Sequence, residues 1–542
     1  MKIARSVLRL TLLCLVVLAC GCRKGKRTMV VDQAAKDGIL ILGNGAEPKG
    51  LDPHVVTGVA AHNILASLVE GLVGEDPKDL HPVPGVAESW DISEDKLTYT
   101  FHLRADAKWS NGNPVVASDF VFSYQRMLSP GLAAEYAYML YPLTNAKEFN
   151  QGKLTDFGKV GVKAPDARTL VLELTFPVPY LLQMLNHYSW WPVHPATILK
   201  HGKMDDPQSA WTRPENFVGN GPFALKSWQA NQKIVVERNP HYWDAASVKL
   251  NGIEFLAIES TETEERHFRS GQVHVTSSVP AHRVPVWQEK EPDLIRIDPY
   301  LGTGFYRFNC TRKPLDDSRV RRALALTIDR EQICRTILKA GQKPAFCFTP
   351  PGTGGYSSET RLAGGVQAAR KLLAEAGYPD GKGFPKLRLL YNTKEANKIM
   401  AETIQQMWKT SLGVEVTLEN QEWKVYLDSM KRMDYDVARA SWIGDYNDPN
   451  TFLDMWVTDG GNNRTGWSNA AYDRHIAAAA AEGDPAARFG HFQKAEAVLM
   501  AELPIAPIYS YTHAMLIRPH VRGWNPTLLD HHPYKHVSLV AP

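Results

Sequence analysis

The residues best suited to chemistry lie close together between positions 436 and 452. Arg439, Trp442 and Asp445 occur there among apolar neighbours, which favours a buried strand followed by a loop. A carboxylate between Trp442 and Tyr446 costs free energy when it is buried without a partner. A cationic ligand group removes that cost through a charge-assisted hydrogen bond, and Arg439 offers a planar fork to a carboxylate. The segment therefore suits a zwitterionic ligand, although a loop in which Asp445 caps a turn and Arg439 pairs with a local acid is an alternative.

The sequence lacks the spacings of common catalytic or cofactor sites. It has no HExxH zinc pair, no GxSxG nucleophile elbow and no GxxxxGKS or GxxxxGKT phosphate loop. The glycines at 352–355 follow no predicted strand, so we interpret them as a turn. Asp530, His531, His532 and His536 look like a metal-binding run, but without helical i,i+4 spacing we interpret them as a surface tail. A binding protein is therefore predicted rather than an enzyme, with no cofactor and no metal.

The N-terminus has the pattern of an export signal. Lys2 and Arg5 precede an apolar run at 7–19, and small residues follow before Cys20 and Cys22. A cysteine after such residues resembles the bacterial lipobox, in which that cysteine is lipidated; Cys20 fits better than Cys22. We predict a periplasmic or cell-surface lipoprotein held to the membrane by acyl chains. An ordinary cleaved signal with incidental cysteines is the alternative.

The composition is that of a globular protein with a large core. The chain has 44% hydrophobic and 22% charged residues, and its net charge of +3 is too small to indicate a nucleic-acid partner. Outside the first 22 residues, the chain contains Cys310, Cys334 and Cys347. Three cysteines allow at most one internal bridge, so a Cys310–Cys347 disulfide and buried free thiols remain alternatives.

Strands and helices alternate along the whole chain. Strands are predicted at 38–43, 98–103, 233–238, 252–258, 386–391 and 414–418. Helices are predicted at 60–72, 118–127, 318–338, 368–376, 396–412 and 486–501, and the one at 318–338 is expected to have interruptions. Ser118 is expected to cap its helix. Such alternation indicates α/β lobes, but it does not give their number.

Several short motifs occur in order along the chain, namely Leu51-Asp-Pro-His54, Glu70-Gly-Leu72, Pro84-Gly-Val-Ala-Glu-Ser-Trp90, Ala107-Lys-Trp-Ser-Asn-Gly112, Tyr242-Trp-Asp244, Val320-Arg-Arg-Ala-Leu324 and Glu419-Asn-Gln-Glu-Trp423. They resemble those of family 5 of the extracellular solute-binding proteins, which serve peptide ABC importers. The resemblance extends from about residue 38 to 540. Many matches in order over the chain are more specific than any single motif.

The resemblance implies an α/β, two-lobed periplasmic-binding-protein fold, hinged, with the ligand between the lobes and with an extra subdomain. After a signal peptide at 1–19 and a tether at 20–37, one lobe would comprise 38–300 and 513–542. The extra subdomain would lie at about 70–194 within it. The second lobe would be 301–512.

The resemblance also implies a set of peptide-binding residues. Asp445 would bind the peptide α-amino group, and Arg439 would meet the carboxylate at one ligand length. The complete set is Asp445, Arg439, Trp442, Trp423, Ser441, Ile443, Val59, Tyr136, His187, Asn397 and Tyr511. The backbones of Val59, Ser441 and Ile443 would pair with an extended peptide, and the aromatic residues would line pockets for its side chains. Core packing is the alternative for each aromatic residue.

Some positions depart from the family pattern. Asn397 and Leu338 replace residues that contact the ligand carboxylate, Lys431 replaces a pocket histidine, and Thr57 replaces an acid near the amine. The amine end of the expected site is therefore better supported than the carboxylate end, and the preferred peptide length could differ from that of the relatives.

The resemblance implies a function without catalysis. The protein would capture short peptides in extended form and deliver them, as a monomer, to the permease and ATPase subunits of an ABC importer. A binder of another solute, such as a modified cell-wall peptide, a nickel chelate or haem, is an alternative, and an exported hydrolase is a further one.

Overall fold

The computed structural model describes residues 29–540. The predicted signal peptide at 1–19 and both candidate lipidation residues, Cys20 and Cys22, lie outside the described residues. Between residues 29 and 540, no helix combines the length and the apolar character needed to cross a membrane.

The described chain alternates strands with helices, as predicted. The strands are β1 (Ile39–Gly43), β2 (Val73–Glu75), β3 (Pro82–Pro84), β4 (Ala87–Ile92), β5 (Thr98–Leu103), β6 (Val162–Lys163), β7 (Thr169–Glu173), β8 (Phe223–Gln229), β9 (Lys233–Arg238), β10 (Gly252–Leu256), β11 (Ile295–Phe308), β12 (Lys343–Pro344), β13 (Leu387–Asn392), β14 (Val416–Gln421), β15 (Val437–Ile443), β16 (Ile505–Leu516), β17 (Val521–Arg522) and β18 (Ser538–Leu539).

Helices fill the connections between these strands. The α-helices are Val30–Lys36, Val59–Leu68, Ala117–Leu128, Ala146–Asn150, Leu181–Met184, Pro195–His201, Thr261–Arg269, Val284–Lys290, Ser318–Leu326, Arg330–Gln332, Val366–Glu375, Glu395–Leu412, Trp423–Lys431, Asn450–Leu453, Ala470–Ala481 and Pro485–Glu502. A π-helix spans Ile333–Leu338, and short 3-10 helices include Ala137–Leu140, Tyr188–Trp190, Asp454–Trp456 and Tyr534–His536.

Three larger sheets organise this part of the chain. The first has the order β1-β10-β9-β8, with β1 parallel to β10. The second has the order β12-β16-β11-β15-β13-β14, in which β13 is parallel to both of its neighbours. The third, β4-β5-β7-β6, is antiparallel and lies within residues 87–173. The first two sheets form the cores of two lobes, and the third belongs to the extra subdomain.

The long antiparallel strands β11 and β16 connect the two lobes. Ile295 pairs with Leu516 at one end of this ladder, and Arg307 pairs with Ile505 at the other. The register is irregular around residues 299–303. Because two neighbouring strands cross from lobe to lobe, this irregular stretch is the natural place for a hinge.

Helix Glu395–Leu412 shows how the sequence builds the second lobe. Its buried side chains recur every three or four residues, namely Met400, Ala401, Ile404, Trp408 and Leu412. This spacing gives one apolar face, which packs against β13 and β14. Gly413 ends the helix with a φ of 70°, a left-handed conformation that glycine adopts without strain.

The predicted cap at Ser118 was wrong. The helix begins at Ala117, so Ser118 lies inside its first turn and Val116 is the capping residue. Asp119 stabilises this end, because its Oδ2 accepts a hydrogen bond of 3.1 Å from the Val116 N–H. The valine side chain cannot accept a hydrogen bond, so the only side-chain acceptor of this pair is the carboxylate of Asp119.

One predicted helix is shorter than expected, and another is interrupted as predicted. The helix predicted at 60–72 ends at Leu68, because Val69 is extended and leads the chain towards β2. The helix predicted at 318–338 is divided into Ser318–Leu326, Arg330–Gln332 and the π-helix Ile333–Leu338. The predicted interruptions are thus present.

Cys310, Cys334 and Cys347 are free thiols. The Cys310–Cys347 disulfide, one of the two alternatives, is not formed. Burial raises the pKa of Cys310 and Cys334 to about 11 and that of Cys347 to about 12. These thiols are therefore poor nucleophiles at neutral pH.

Candidate functional site

A cavity of about 840 Å3 lies between the two lobes. All of the predicted contact residues line it, although they come from positions as distant as 59 and 511. They are Val59, Tyr136, His187, Asn397, Trp423, Arg439, Ser441, Trp442, Ile443, Asp445 and Tyr511. The fold therefore brings the whole predicted set to one place.

Strand β15 presents an unpaired edge to this cavity. It pairs with β11 from Val437 to Ile443, but β13 pairs with it only at Val437 and Ala438. The Arg439 carbonyl points away from β11 and accepts a hydrogen bond of 2.5 Å from Tyr426 Oη. Since the backbone groups of every second residue point to the same edge, those of Ser441 and Ile443 face the same free side. The edge is thus open to an additional strand.

Asp445 lies just beyond β15 and has no cationic partner. Its N–H donates to Thr451 Oγ1 at 2.9 Å, but no Lys or Arg among the described residues reaches its carboxylate within 4 Å. The nearest ring nitrogen is His187 Nε2, 3.5 Å from Oδ1. Burial raises the pKa of Asp445 to about 8, despite the opposing effects of His531 and Thr451. The cavity therefore contains a buried acid that an ammonium group would stabilise.

His187 faces Asp445 as a neutral ring. Burial lowers the pKa of His187 to about 3. Its Nδ1 accepts from the Ser189 N–H at 3.3 Å, and the Ser189 hydroxyl lies 2.8 Å away, so the proton belongs on Nε2. Nε2 has no hydrogen-bond partner in the described chain. His187 thus aims a neutral donor at the carboxylate without supplying a positive charge.

Arg439 contacts hydroxyl groups instead of acids. Its Nη2 donates to Tyr511 Oη at 2.6 Å and to Tyr509 Oη at 3.5 Å, and Nη1 lies 3.4 Å from Ser441 Oγ. Within residues 29–540, no carboxylate lies close enough to form an ion pair with it. The local acid pairing considered as an alternative is therefore not formed, and the charge remains available to an anion.

Aromatic rings form walls on both sides of the β15 edge. Tyr136 lies 4.5 Å from the ring of His187 and 6.3 Å from that of Trp442, measured between centroids. Trp423 stacks on Tyr426 at 5.6 Å. These contacts come from both lobes, so the walls are complete only when the lobes are together.

Asn397 lines the cavity but uses its side-chain donor internally. Its Nδ2 donates to the carbonyl and the side-chain oxygen of Asn392, both at 3.0 Å. Lys431, another departure from the family pattern, lies 3.6 Å from Glu135 in an ion pair. Leu338 is buried and apolar. None of these positions offers a free cation.

Of the C-terminal histidines expected in a surface tail, His536 is exposed, whereas His531 and His532 are not. His531 lines the cavity, contacts both Glu75 oxygens at 3.0 Å and stacks on His62 at 4.3 Å. His532 lies 3.0 Å from Asp530 and is buried. Their spacing in the sequence carried no sign of this placement, because Glu75 lies more than 450 residues earlier in the chain.

The comparisons with known proteins agree with this geometry. The model of the bacterial extracellular solute-binding proteins, family 5, matches residues 81–464. The periplasmic oligopeptide-binding protein of Escherichia coli is 41% identical over 500 residues, which cover 90% of this chain and 89% of the relative. The structure of the E. coli murein tripeptide-binding protein is 37% identical and covers 93% of this chain and 98% of its own, with a TM-score of 0.88.

A second structure of that tripeptide-binding protein identifies the conformation. Its unliganded open form, with the same identity and coverage, gives a TM-score of only 0.62. Since the two structures share one sequence, the difference in score reflects the arrangement of the lobes. The present chain has its lobes closed over the cavity, and the two-lobed hinged fold is confirmed.

Proposed function

The chain belongs to family 5 of the bacterial extracellular solute-binding proteins, and from that membership we propose that it captures short peptides in extended form for an ABC importer. It is a binding protein of the periplasm and not an enzyme. The observation that carries the proposal is the free edge of β15. It lies between an acid and a guanidinium that have no partner of opposite charge, Lys, Arg or carboxylate, among residues 29–540.

The peptide occupies the free edge as an added strand. Its amino group at Asp445 and its carboxylate near Arg439 make it run antiparallel to β15. Its first residue then lies opposite Ile443, its second opposite Trp442 and its third opposite Ser441. Pairing through backbone groups does not depend on the side chains of the peptide, so it allows peptides of many different sequences to bind. The Val59 N–H, in the first turn of its helix, is free of an intrahelical acceptor and adds a donor from the other lobe.

Closure and amine binding depend on each other. The ligand ammonium replaces the missing cation beside Asp445 and forms a charge-assisted hydrogen bond. His187 Nε2 supplies a second, neutral contact to the same carboxylate. Without the ammonium, closure buries a carboxylate that must take up a proton. The ligand therefore favours the closed state because it binds that state better than the open one.

The carboxylate end selects peptide length. The third residue of a tripeptide lies opposite Ser441. Its C-terminal carboxylate then extends along the edge towards residue 439, within reach of the Arg439 side chain. A longer peptide moves its carboxylate towards Asn397 and Leu338, which offer no free cation. We therefore propose tripeptides as the preferred ligands, with Trp442, Trp423, Tyr136 and Tyr511 lining the side-chain pockets.

The boundaries of the moving parts are also proposed. One lobe comprises 38–300 and 513–542, with the subdomain at about 70–194, and the other comprises 301–512. Support comes from β11 and β16, which pass between the lobes near residues 300 and 513, where their register is irregular. Opening and closing would then bend the two adjacent strands β11 and β16.

The attachment to the membrane is proposed from the N-terminal sequence. Acyl chains on Cys20, or on Cys22, hold the protein at the membrane, and the residues up to 37 act as a tether. The protein acts as a monomer that docks on the permease and ATPase subunits of the importer. Cys20→Ser should release the protein from membranes, whereas release by Cys22→Ser alone would reassign the anchor.

Native mass spectrometry of the chain from residue 28 onward tests the ligand class. We expect a mixture of short peptides, centred on tripeptides, to leave the protein on denaturation. A single non-peptide mass would replace the peptide function with that of another solute. An empty protein is then titrated with trialanine, and its failure to bind would also contradict the proposal. Cleavage of trialanine on long incubation would indicate a hydrolase.

A further inference from the structure

A second guanidinium, that of Arg307, lines the cavity without an acid partner. Its side chain is buried, with the residue only 4% exposed. Nη1 donates to the Asn462 carbonyl at 2.9 Å, whereas Nε has no hydrogen-bond partner among the described residues. No carboxylate of the described chain lies within 4 Å of it, in contrast to the buried Arg488, which pairs with Asp448. A buried guanidinium without an acid partner costs free energy unless a ligand supplies an anionic hydrogen-bond acceptor.

The charges around Arg307 do not neutralise it. Glu135 is the nearby acid, but it already pairs with both Arg464 and Lys431. Arg464 also lines the cavity, and its Nε has no partner in the described chain. The guanidinium groups of Arg307 and Arg464 and the ammonium group of Lys431 thus have only the Glu135 carboxylate nearby. This part of the cavity has an excess of positive charge.

The strand register places Arg307 on the same face of the sheet as one side chain of the proposed ligand. Arg307 lies opposite Ala438 in the β11–β15 ladder, and side chains of a strand alternate between faces. Its side chain therefore shares a face with Ala438, Ala440 and Trp442. Ala440, which lies between Arg307 and Trp442 on this face, lines the cavity and has only a small side chain. The second residue of an added strand, opposite Trp442, projects its side chain from that same face.

We propose that this pocket, formed by Arg307, Arg464, Asn462 and Trp442, binds a carboxylate on the second residue of the peptide. The proposal rests on the proposed function and names its substrate class: peptides with aspartate or glutamate at position two. An Arg fork satisfies a carboxylate with two parallel hydrogen bonds. Burial lowers the pKa of Arg307 to about 10, so the guanidinium is still charged at neutral pH.

A purely structural role for Arg307 is the competing explanation. Its guanidinium lies 5.5 Å from the Phe305 ring centroid and 5.4 Å from that of Trp456, which provides some cation–π stabilisation. Such a role predicts no dependence on the charge of the ligand. The two explanations therefore differ in an experiment that needs no variant at all.

Calorimetry with the tripeptides Ala-Glu-Ala, Ala-Gln-Ala and Ala-Lys-Ala on the native protein is the test. We expect Ala-Glu-Ala to bind at least about tenfold more tightly than Ala-Gln-Ala, the effect of one charge-assisted pair, and Ala-Lys-Ala to bind most weakly. Equal binding of the three peptides would overturn the inference and leave the peptide function intact. Failure of all three to bind would contradict both.

Variants then assign the selectivity to this guanidinium. Arg307→Gln should remove the preference for glutamate over glutamine, while Arg307→Lys should retain part of it. The control Arg319→Gln changes an exposed arginine outside the cavity and should leave the preference unchanged. Persistence of the full glutamate preference in a folded Arg307→Gln protein would overturn the assignment, and a variant that does not fold leaves the native peptide series as the deciding result.

Discussion

Asp445 and Arg439 lie at opposite ends of the same strand edge, but their surroundings differ. Asp445 has a neutral histidine at 3.5 Å and a pKa raised to about 8. Arg439 already donates to tyrosine and serine hydroxyls, which partly satisfy its guanidinium without removing its charge. Under the proposed binding mode, this difference gives the two ends separate tasks. The amine end would determine whether the closed state is stable, and the carboxylate end would determine which peptides stabilise it.

The largest expected effect comes from Asp445→Asn. We expect the affinity for a tripeptide to fall by about 3–5 kcal/mol, because the ligand ammonium is then buried without its counter-charge. Isothermal titration calorimetry measures the change. Asp380→Asn, which alters an exposed acid of the same lobe, is the matched control and should bind like the native protein.

An acetylated peptide checks the same contact from the ligand side. N-acetyl tripeptide should bind the native protein about as weakly as the free tripeptide binds Asp445→Asn. Combining the two changes should add little further loss, since both remove one interaction. Unchanged affinity in the variant would mean that the amine lies elsewhere.

Arg439→Gln should have a smaller effect that depends on peptide length. For tripeptides we expect a loss of about 1.5–3 kcal/mol, the usual contribution of hydrogen bonds to a charged group. Dipeptides and pentapeptides should lose much less, because their carboxylates lie away from residue 439. Calorimetry across di- to pentapeptides tests this, and equal losses at every length would contradict the separation of tasks between the two ends.

The pH dependence of closure sharpens the comparison further. We expect Asp445 to meet water in the open state, where its pKa would have the ordinary value of about 3.9, whereas burial in the closed state raises the pKa to about 8. The closed state therefore binds an extra proton, and its stability is lost as pH rises towards 8. His187, with a pKa lowered to about 3, acts in the opposite sense only below its ordinary value of about 6.5.

Between pH 6.5 and 8 the effect of Asp445 should therefore dominate. The closed fraction of the ligand-free protein should fall by up to about tenfold per pH unit, as expected for one linked proton. Single-molecule energy transfer between fluorophores on the two lobes measures it. Asp445→Asn should lack this slope, and an identical slope in the native protein and the variant would assign the proton to another group.

The smallest expected effect concerns the surface contacts between lobes. Lys49 and Asp428 form an ion pair of 2.6 Å across the cleft, but nearly half of each side chain is exposed. Lys49→Ala should change peptide affinity by less than about 1 kcal/mol, because water and salt screen exposed pairs. A loss as large as that of Asp445→Asn would show that the rim, and not the amine site, controls closure.

Much of the fold and of the site could be predicted from the sequence, but from two different sources. Hydrophobic periodicity predicted strands and helices to within a few residues, as in helix Glu395–Leu412. It could not predict that Val59 and Tyr511 meet in one cavity; only the resemblance to a family implied that. The resemblance placed Asn397 correctly at the cavity, although its amide is occupied by Asn392.

What remained unpredicted depended on contacts between distant segments. The sequence predicts His531 to be part of a surface tail, because its neighbours in the chain do not indicate the contact with Glu75. Arg307 was overlooked, although an arginine within the buried run of β11 is a signal in itself. A charge inside an otherwise apolar strand needs a partner, and the lack of one between residues 29 and 540 supports the proposed ligand.

The free edge of β15 has a consequence for the handling of this protein. An unpaired strand edge accepts any other strand, including one from a second copy of the chain, and so promotes aggregation. Here the edge is short, β13 covers it at residues 437 and 438, and the closed lobes enclose the rest. Preparations freed of ligand, in which the lobes open, should therefore aggregate more readily than loaded ones, so that the nutrient also acts as a stabiliser during storage.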